Sequence, residues 1–163
     1  MALFVAEQPV GCRACGREAT ELEFLAECRD EINRFRSGNL DPKLPPVQAS
    51  IYADRLMALM KKVKAGVLVF GDHQQAEGRV ISGSRALYEL RPVVEGHLFQ
   101  PPRKPRLYCA EPMGQPKLVL FALLGTKPAG KDVGHEQQAS IQEAHGRLEV
   151  WAGNQAKRAA GLL

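Results

Sequence analysis

No apolar run in this 163-residue chain approaches the roughly 20 residues needed to cross a bilayer. The longest, residues 118–124, has the length of a buried strand. A membrane partner is therefore not expected. Residues 1–10 carry Glu7 and Pro9 and lack a basic flank, so they do not read as a secretory signal, and the expected location is the cytoplasm. There is no internal repeat and no low-complexity tract. Metal patterns are thin as well. Cys12-x-x-Cys15 is half of a zinc knuckle, but there is no second such pair. Cys28 is a candidate third ligand that sits on an apolar stripe, and Cys109 is distant in sequence. His73, His97, His135 and His145 have no ligand spacing, and Gly78, Gly83 and Gly125 form no phosphate loop. The expectation is reduced thiols, no metal and no cofactor; a small zinc-binding adaptor is the alternative, and a thioredoxin-like redox role lacks the strand–motif–helix context.

What is present is the composition of a globular chain: 45% hydrophobic and 25% charged residues. The length suits one domain with a real core. Lys and Arg number 22 against 18 Asp and Glu, a tilt that permits a polyanionic partner without requiring one.

Periodicity divides the chain. Thr20-Glu21-Leu22-Glu23 has the form of a capping box. Leu22, Leu25, Cys28, Ile32 and Phe35 recur at three- and four-residue steps, which predicts a helix over 20–36 with Gly38 as a left-handed stop. Residues 39–46 hold three prolines and read as a loop. Ile51, Leu56, Leu59, Met60 and Val63 predict a second helix over 47–64, its basic end at Lys61, Lys62 and Lys64 suiting the helix dipole. The period then changes. Residues 67–70 are a short apolar run, and 86–91, 106–109 and 117–124 predict three strands in series, the last ended by Gly125 and Pro128. Residues 137–151 read as a helix with Ile141, Ala144, Leu148 and Trp151 on one face, and 3–6 are a candidate extra strand. The predicted fold is α+β: a small antiparallel meander with two N-terminal helices packed on one face and a C-terminal helix closing the end. The domain is expected over 20–152, after an extension (1–19) and before a frayed tail (153–163).

Leu87-Tyr88-Glu89-Leu90-Arg91 resembles a strand of the RelE/ParE toxin superfamily in its HigB-like, phage-derived branch. Arg106-Leu107-Tyr108 fits that family's next strand, and residues 119–124 running into Gly125-Thr126-Lys127 fit its third. The resemblance covers about 51–151; the segment to about Gly16 and an insertion at 93–105 fall outside it. It implies the toxin of a type II toxin–antitoxin pair: a metal-independent, ribosome-dependent endoribonuclease, or mRNA interferase. The implied partners are the ribosome, messenger RNA and an antitoxin of helix-turn-helix type. The alternative on the same fold is a non-catalytic binding protein, either gyrase-inhibiting or a phage-derived relic.

The residues themselves suggest how such chemistry would run. RNA is cut without metal when a 2′-hydroxyl attacks the adjacent phosphate, given cations around the phosphorane and groups to move protons. Arg91, Arg106, Lys127 and Tyr108 are the expected catalytic set, and Arg91, Arg106, Lys127 and Lys131 the expected RNA-contacting set. Glu89 is a candidate base and His135 a candidate proton carrier. Each has an ordinary alternative: Glu89 and Arg91 as a cross-strand ion pair, Tyr108 as an edge-of-core aromatic, Lys127 as a turn lysine, His135 as a solvated loop residue. As a phosphate-contacting group, Arg106 is expected to tolerate alanine structurally while losing cleavage; as a surface ion pair, its alanine variant is expected to lose at most about 1 kcal/mol and keep its activity.

Overall fold

The computed structural model describes residues 13–41, 43–71, 76–81, 87–94, 103–128 and 134–162. After a 3-10 turn at Arg13–Cys15 come strand β1 (Glu21–Phe24), helix α1 (Ala26–Arg36), helix α2 (Pro46–Lys64), strands β2 (Gly78–Val80), β3 (Tyr88–Leu90), β4 (Arg103–Ala110) and β5 (Leu118–Pro128), and helix α3 (Gly134–Ala159). The strands form one sheet in the order β1-β5-β4-β3-β2. β3, β4 and β5 pair antiparallel, as the three serial strands predict; β2, which was not expected, adds antiparallel to β3, and β1 joins β5 in parallel, so the sheet is mixed. Among the described residues no helix is long and apolar enough to cross a membrane.

β1 corrects the expected helix over 20–36. The Thr20 hydroxyl donates to the carbonyl of Val63 (2.9 Å) and caps no helix. The Glu21 amide bonds to Lys117 O, and residues 21–24 pair in register with 118–121. Phe24 then stacks on Phe121, with centroids 4.7 Å apart. Ladder bonds and ring contact in the sheet outweigh the local cap, which offers a single turn of helix. The helix begins only at Ala26, behind a Leu25 with no side-chain cap, and stops as predicted at Gly38, whose φ is +71°. A Cβ there would lie 2.3 Å from Leu44 O, so the turn tolerates only glycine.

α2 starts at Pro46, a residue suited to the first helical position. Its buried face is Ala49, Tyr52, Ala53, Leu56, Leu59, Met60 and Val63; Ile51, expected on that stripe, is 40% exposed. α1 and α2 pack against one face of the sheet, through Cys28, Phe35, Leu56 and Val63 on Leu90, Leu107, Cys109, Val119 and Phe121. The turn at Arg13–Cys15 belongs to the same body: Ala14 is buried, and Leu68 N–H bonds to its carbonyl at 2.8 Å.

α3 lies on the opposite face. Ala144 and Leu148, with Ile141 and Trp151 beside them, pack on Tyr108, Ala110, Leu120 and Ala122. The predicted stripe is therefore present, but it covers a second sheet face instead of closing one end. The helix also runs on through Gly153, where a frayed tail was expected, and Trp151 Nε1 donates to Glu23 at 2.9 Å. Gly146 and Gly153 stand in this helix with open space where a Cβ would sit. Alanine at each is expected to raise stability by about 0.5–1 kcal/mol, seen as a higher urea midpoint with unchanged slope. The candidate strand at 3–6 lies outside the described residues.

Candidate nucleic-acid interface

Strand register assembles the site. Glu89 stands opposite both Arg79 on β2 and Tyr108 on β4. Alternation along a strand puts Arg91 on the side of Glu89, and Arg106 and Lys104 on the side of Tyr108. That is the α3 face, since Tyr108 packs there. β5 reaches the same side by an irregularity. Tyr108 pairs with Leu123 and Cys109 with Phe121, so Ala122 is an extra residue, a β-bulge. Ala122 and Leu123 consequently both face α3, and the parity of every later residue is reversed. Gly125 turns toward Ser140 of α3, and Lys127, opposite Lys104, turns with it. Without the bulge Lys127 would point to the α1/α2 side. β5 also runs through Gly125, and of the two residues expected to close it only Pro128 does so.

The geometry centres on Glu89, which is 1% exposed. Its Oε1 lies 3.2 Å from Arg106 Nε and 4.0 Å from Arg91 Nε. Its Oε2 accepts from Gln137 Nε2 at 3.3 Å, and Lys127 Nζ donates to Gln137 Oε1 at 3.2 Å. One α3 side chain thus links the carboxylate to the lysine. Arg106, itself 3% exposed, donates from Nη1 to the carbonyl of Pro105 at 2.6 Å. It meets Glu89 as a buried ion pair, and Arg91 Nη1 is buried without an acceptor. At the rim, Arg103 donates to Thr126 Oγ1 at 2.9 Å and pairs with Glu136 of α3.

Electrostatics follow from burial. Burial lowers the affinity of the Arg106 guanidinium for its proton; Glu89 opposes that and Arg91 adds to it. The Lys127 ammonium is pulled down first by burial, then by Arg106, Arg91 and Arg79, with Glu89 opposing. These cations are close enough to feel one another. Tyr108 is pushed up to about 12 by burial and by Glu89, against Arg106 and Ser140, so it holds its proton at neutral pH.

The structure brings Arg91, Arg106, Tyr108 and Lys127 to one face, together with Glu89. Two features differ from the surface patch expected from sequence. Arg106 and Tyr108 are buried, not presented to solvent, and both arginines are engaged with Glu89. Lys131 lies outside the described residues, as do His73, His97 and Cys12. His135 is exposed in the first turn of α3. Arg79, Lys104, Gln137 and Ser140 were missed. Arg79 lies on β2, which was not expected, and Lys104 on the start of β4, within the expected insertion 93–105; Gln137 and Ser140 carried no signal, because only the placement of α3 brings them here.

The turn at Arg13–Cys15 is gripped by Glu111, which accepts from the amides of Arg13 (2.8 and 3.0 Å) and Ala14 (3.3 Å). Burial raises the Glu111 carboxyl, and those amides pull it back. The Cys28 and Cys109 thiols are buried and pushed up by desolvation, which leaves them unreactive. Among the described residues no group of three or more His, Cys, Asp or Glu is placed to hold a metal ion.

Family models, curated proteins and solved structures yield no match to this chain.

Proposed function

We propose that the chain is a RelE-like toxin of a type II toxin–antitoxin pair, a cytoplasmic, metal-independent endoribonuclease that cuts messenger RNA on the ribosome. The observation that carries this reading is the row of cations, Arg79, Arg91, Arg106, Lys104 and Lys127, on one face of β2 to β5. Lys104 and Lys127 stand directly opposite each other, an arrangement that costs energy unless an anion lies between or above them. A phosphodiester backbone relieves that repulsion.

In this mechanism the 2′-hydroxyl gives its proton to solvent water as the 2′-oxygen bonds to phosphorus, and the bond to the 5′-oxygen breaks, leaving a 2′,3′-cyclic phosphate. Arg91 and Arg106 hold the phosphorane oxygens with their planar donor forks. Lys127, its proton loosened by burial and by its cationic neighbours, gives that proton to the departing 5′-oxygen. Tyr108 stays neutral and supplies a hydrogen-bond donor. An antitoxin, expected to carry a helix-turn-helix, silences the protein by covering this face or by displacing α3.

One observation favours a second reading, a non-catalytic binding protein on the same fold: Arg106, the central arginine, is 3% exposed and paired with Glu89. Induced expression without a partner separates the two. The ribonuclease reading expects slowed growth and shortened transcripts. Growth arrest with intact transcripts and accumulating DNA breaks points to the gyrase-inhibiting kind, and unimpaired growth at confirmed soluble expression removes the active toxin.

A further inference from the structure

The ion pairs around Glu89 leave their donors poorly used. Two guanidinium groups converge on a single carboxylate: Arg106 Nε meets Oε1 at 3.2 Å, while Arg91 Nε stands 4.0 Å away and Arg91 Nη1 remains buried without a hydrogen-bond acceptor. Buried guanidinium donors are ordinarily satisfied, because their planar forks match two oxygens at once. Glu89 does not do this for both arginines: its Oε1 lies between the two Nε atoms, at 3.2 and 4.0 Å, and its Oε2 faces Gln137. A phosphodiester offers more acceptor positions around one centre than a carboxylate does, and it carries the same single charge.

We infer that Glu89 is a built-in stand-in for a phosphodiester oxyanion: it holds Arg106 and Arg91 in the unliganded protein and gives them up when an RNA backbone phosphate enters. The inference rests on reading this face as an RNA interface, and it changes the part Glu89 plays there, from candidate base to internal competitor. Gln137 is the latch. Its amide donates to Glu89 Oε2 and its carbonyl accepts from Lys127, so it ties the carboxylate and the lysine to the first turns of α3. Those turns precede Ala144 and Leu148, the buried anchors of the helix. The Gln137 side chain can swing out with the apolar packing intact. An occupied site lowers apparent affinity by the fraction of molecules in which it is open.

The test uses the full chain and a short 2′-O-methyl RNA, which presents phosphodiesters and cannot be cut, with inorganic phosphate as a parallel probe at matched ionic strength. Glu89→Gln keeps the shape and removes the charge. It is expected to bind the RNA about tenfold tighter than the wild type, with Gln137→Ala several-fold tighter. A folded Glu89→Gln protein that binds the RNA equally or more weakly overturns the inference. Should that variant not fold, Gln137→Ala decides alone: tighter RNA binding supports the inference, and unchanged or weaker binding overturns it. A gain for inorganic phosphate without one for the RNA also overturns it, because the ligand is then a free phosphate. The assay reads no cleavage, so the two proposals fail separately. Tighter binding by a protein that cuts nothing removes the ribonuclease reading alone, and cleavage by the wild type with no gain in Glu89→Gln removes the stand-in alone.

Discussion

Replacing Arg106 by alanine is expected to cost about 3–5 kcal/mol of folding stability along with any RNA cleavage, because it strands the Glu89 charge in the interior. Glu89 is 1% exposed and Arg106 is 3% exposed, and Arg106 Nε is 3.2 Å from the carboxylate. Water cannot replace the lost cation. Arg91, 4.0 Å from the same oxygen, compensates only in part. This revises the expectation from sequence that alanine would spare the fold. The double variant Arg106→Met, Glu89→Leu removes both charges and fills the space, and it is expected to recover most of the loss while remaining inactive on RNA. Urea unfolding of Arg106→Met alone, with Glu89 kept, separates the stranded charge from a simple cavity: the stranded charge leaves it nearly as unstable as the alanine variant, and the cavity account has it recover as much as the double variant.

Arg147→Ala is expected to cost about 3 kcal/mol, measured as a lower urea midpoint with unchanged slope. The reason lies at the bulge. β1 ends at Phe24, opposite Phe121, so the backbone of β5 loses its strand neighbour just where Ala122 is inserted. Side chains continue the bonding. Leu124 N–H donates to Glu31 Oε2 at 2.8 Å, and Arg147 Nη1 donates to the carbonyl of Ala122 at 3.0 Å. Arg147 Nη2 then closes the circuit on Glu31 Oε1 at 2.6 Å, joining α1 to α3 across the sheet edge. Removing Arg147 leaves the mostly buried Glu31 without its cation and Ala122 without its donor. Glu143, which also meets Arg147 at 2.5 Å, is 56% exposed in its side chain, and Glu143→Ala is expected to cost under about 0.5 kcal/mol.

Which parts of this structure could be read from sequence follows from how local their causes are. The α2 helix, the Gly38 stop, the three serial strands and the inner stripe of α3 rest on periodicity and backbone preference, and each is found near its expected place. β1 was hidden because residues 21–24 fit a helix stripe locally and become a strand only through pairing with β5, about 97 positions away in sequence. The bulge has no local mark either, yet it determines that Lys127 shares a face with Arg106. Alternation alone gave Arg106 with Tyr108 and Glu89 with Arg91; the register that joins the two pairs is tertiary. The burial of Arg106 was invisible for the same reason. An Arg-x-Tyr alternation reads identically whether its face meets water or a helix, and Gln137 enters the cluster only because α3 lies across the second face of the sheet.

Whether this cationic sheet face cuts RNA, as proposed, is decided by mapping transcript ends after purified protein is added to a translating, ribosome-containing extract. Wild-type protein is expected to produce new ends within translated sequence, and Lys127→Ala, which alters a half-buried group at the rim, is expected to slow their appearance about 100-fold. Transcripts that stay intact with folded wild-type protein, or ends that form equally fast with Lys127→Ala, would contradict the account.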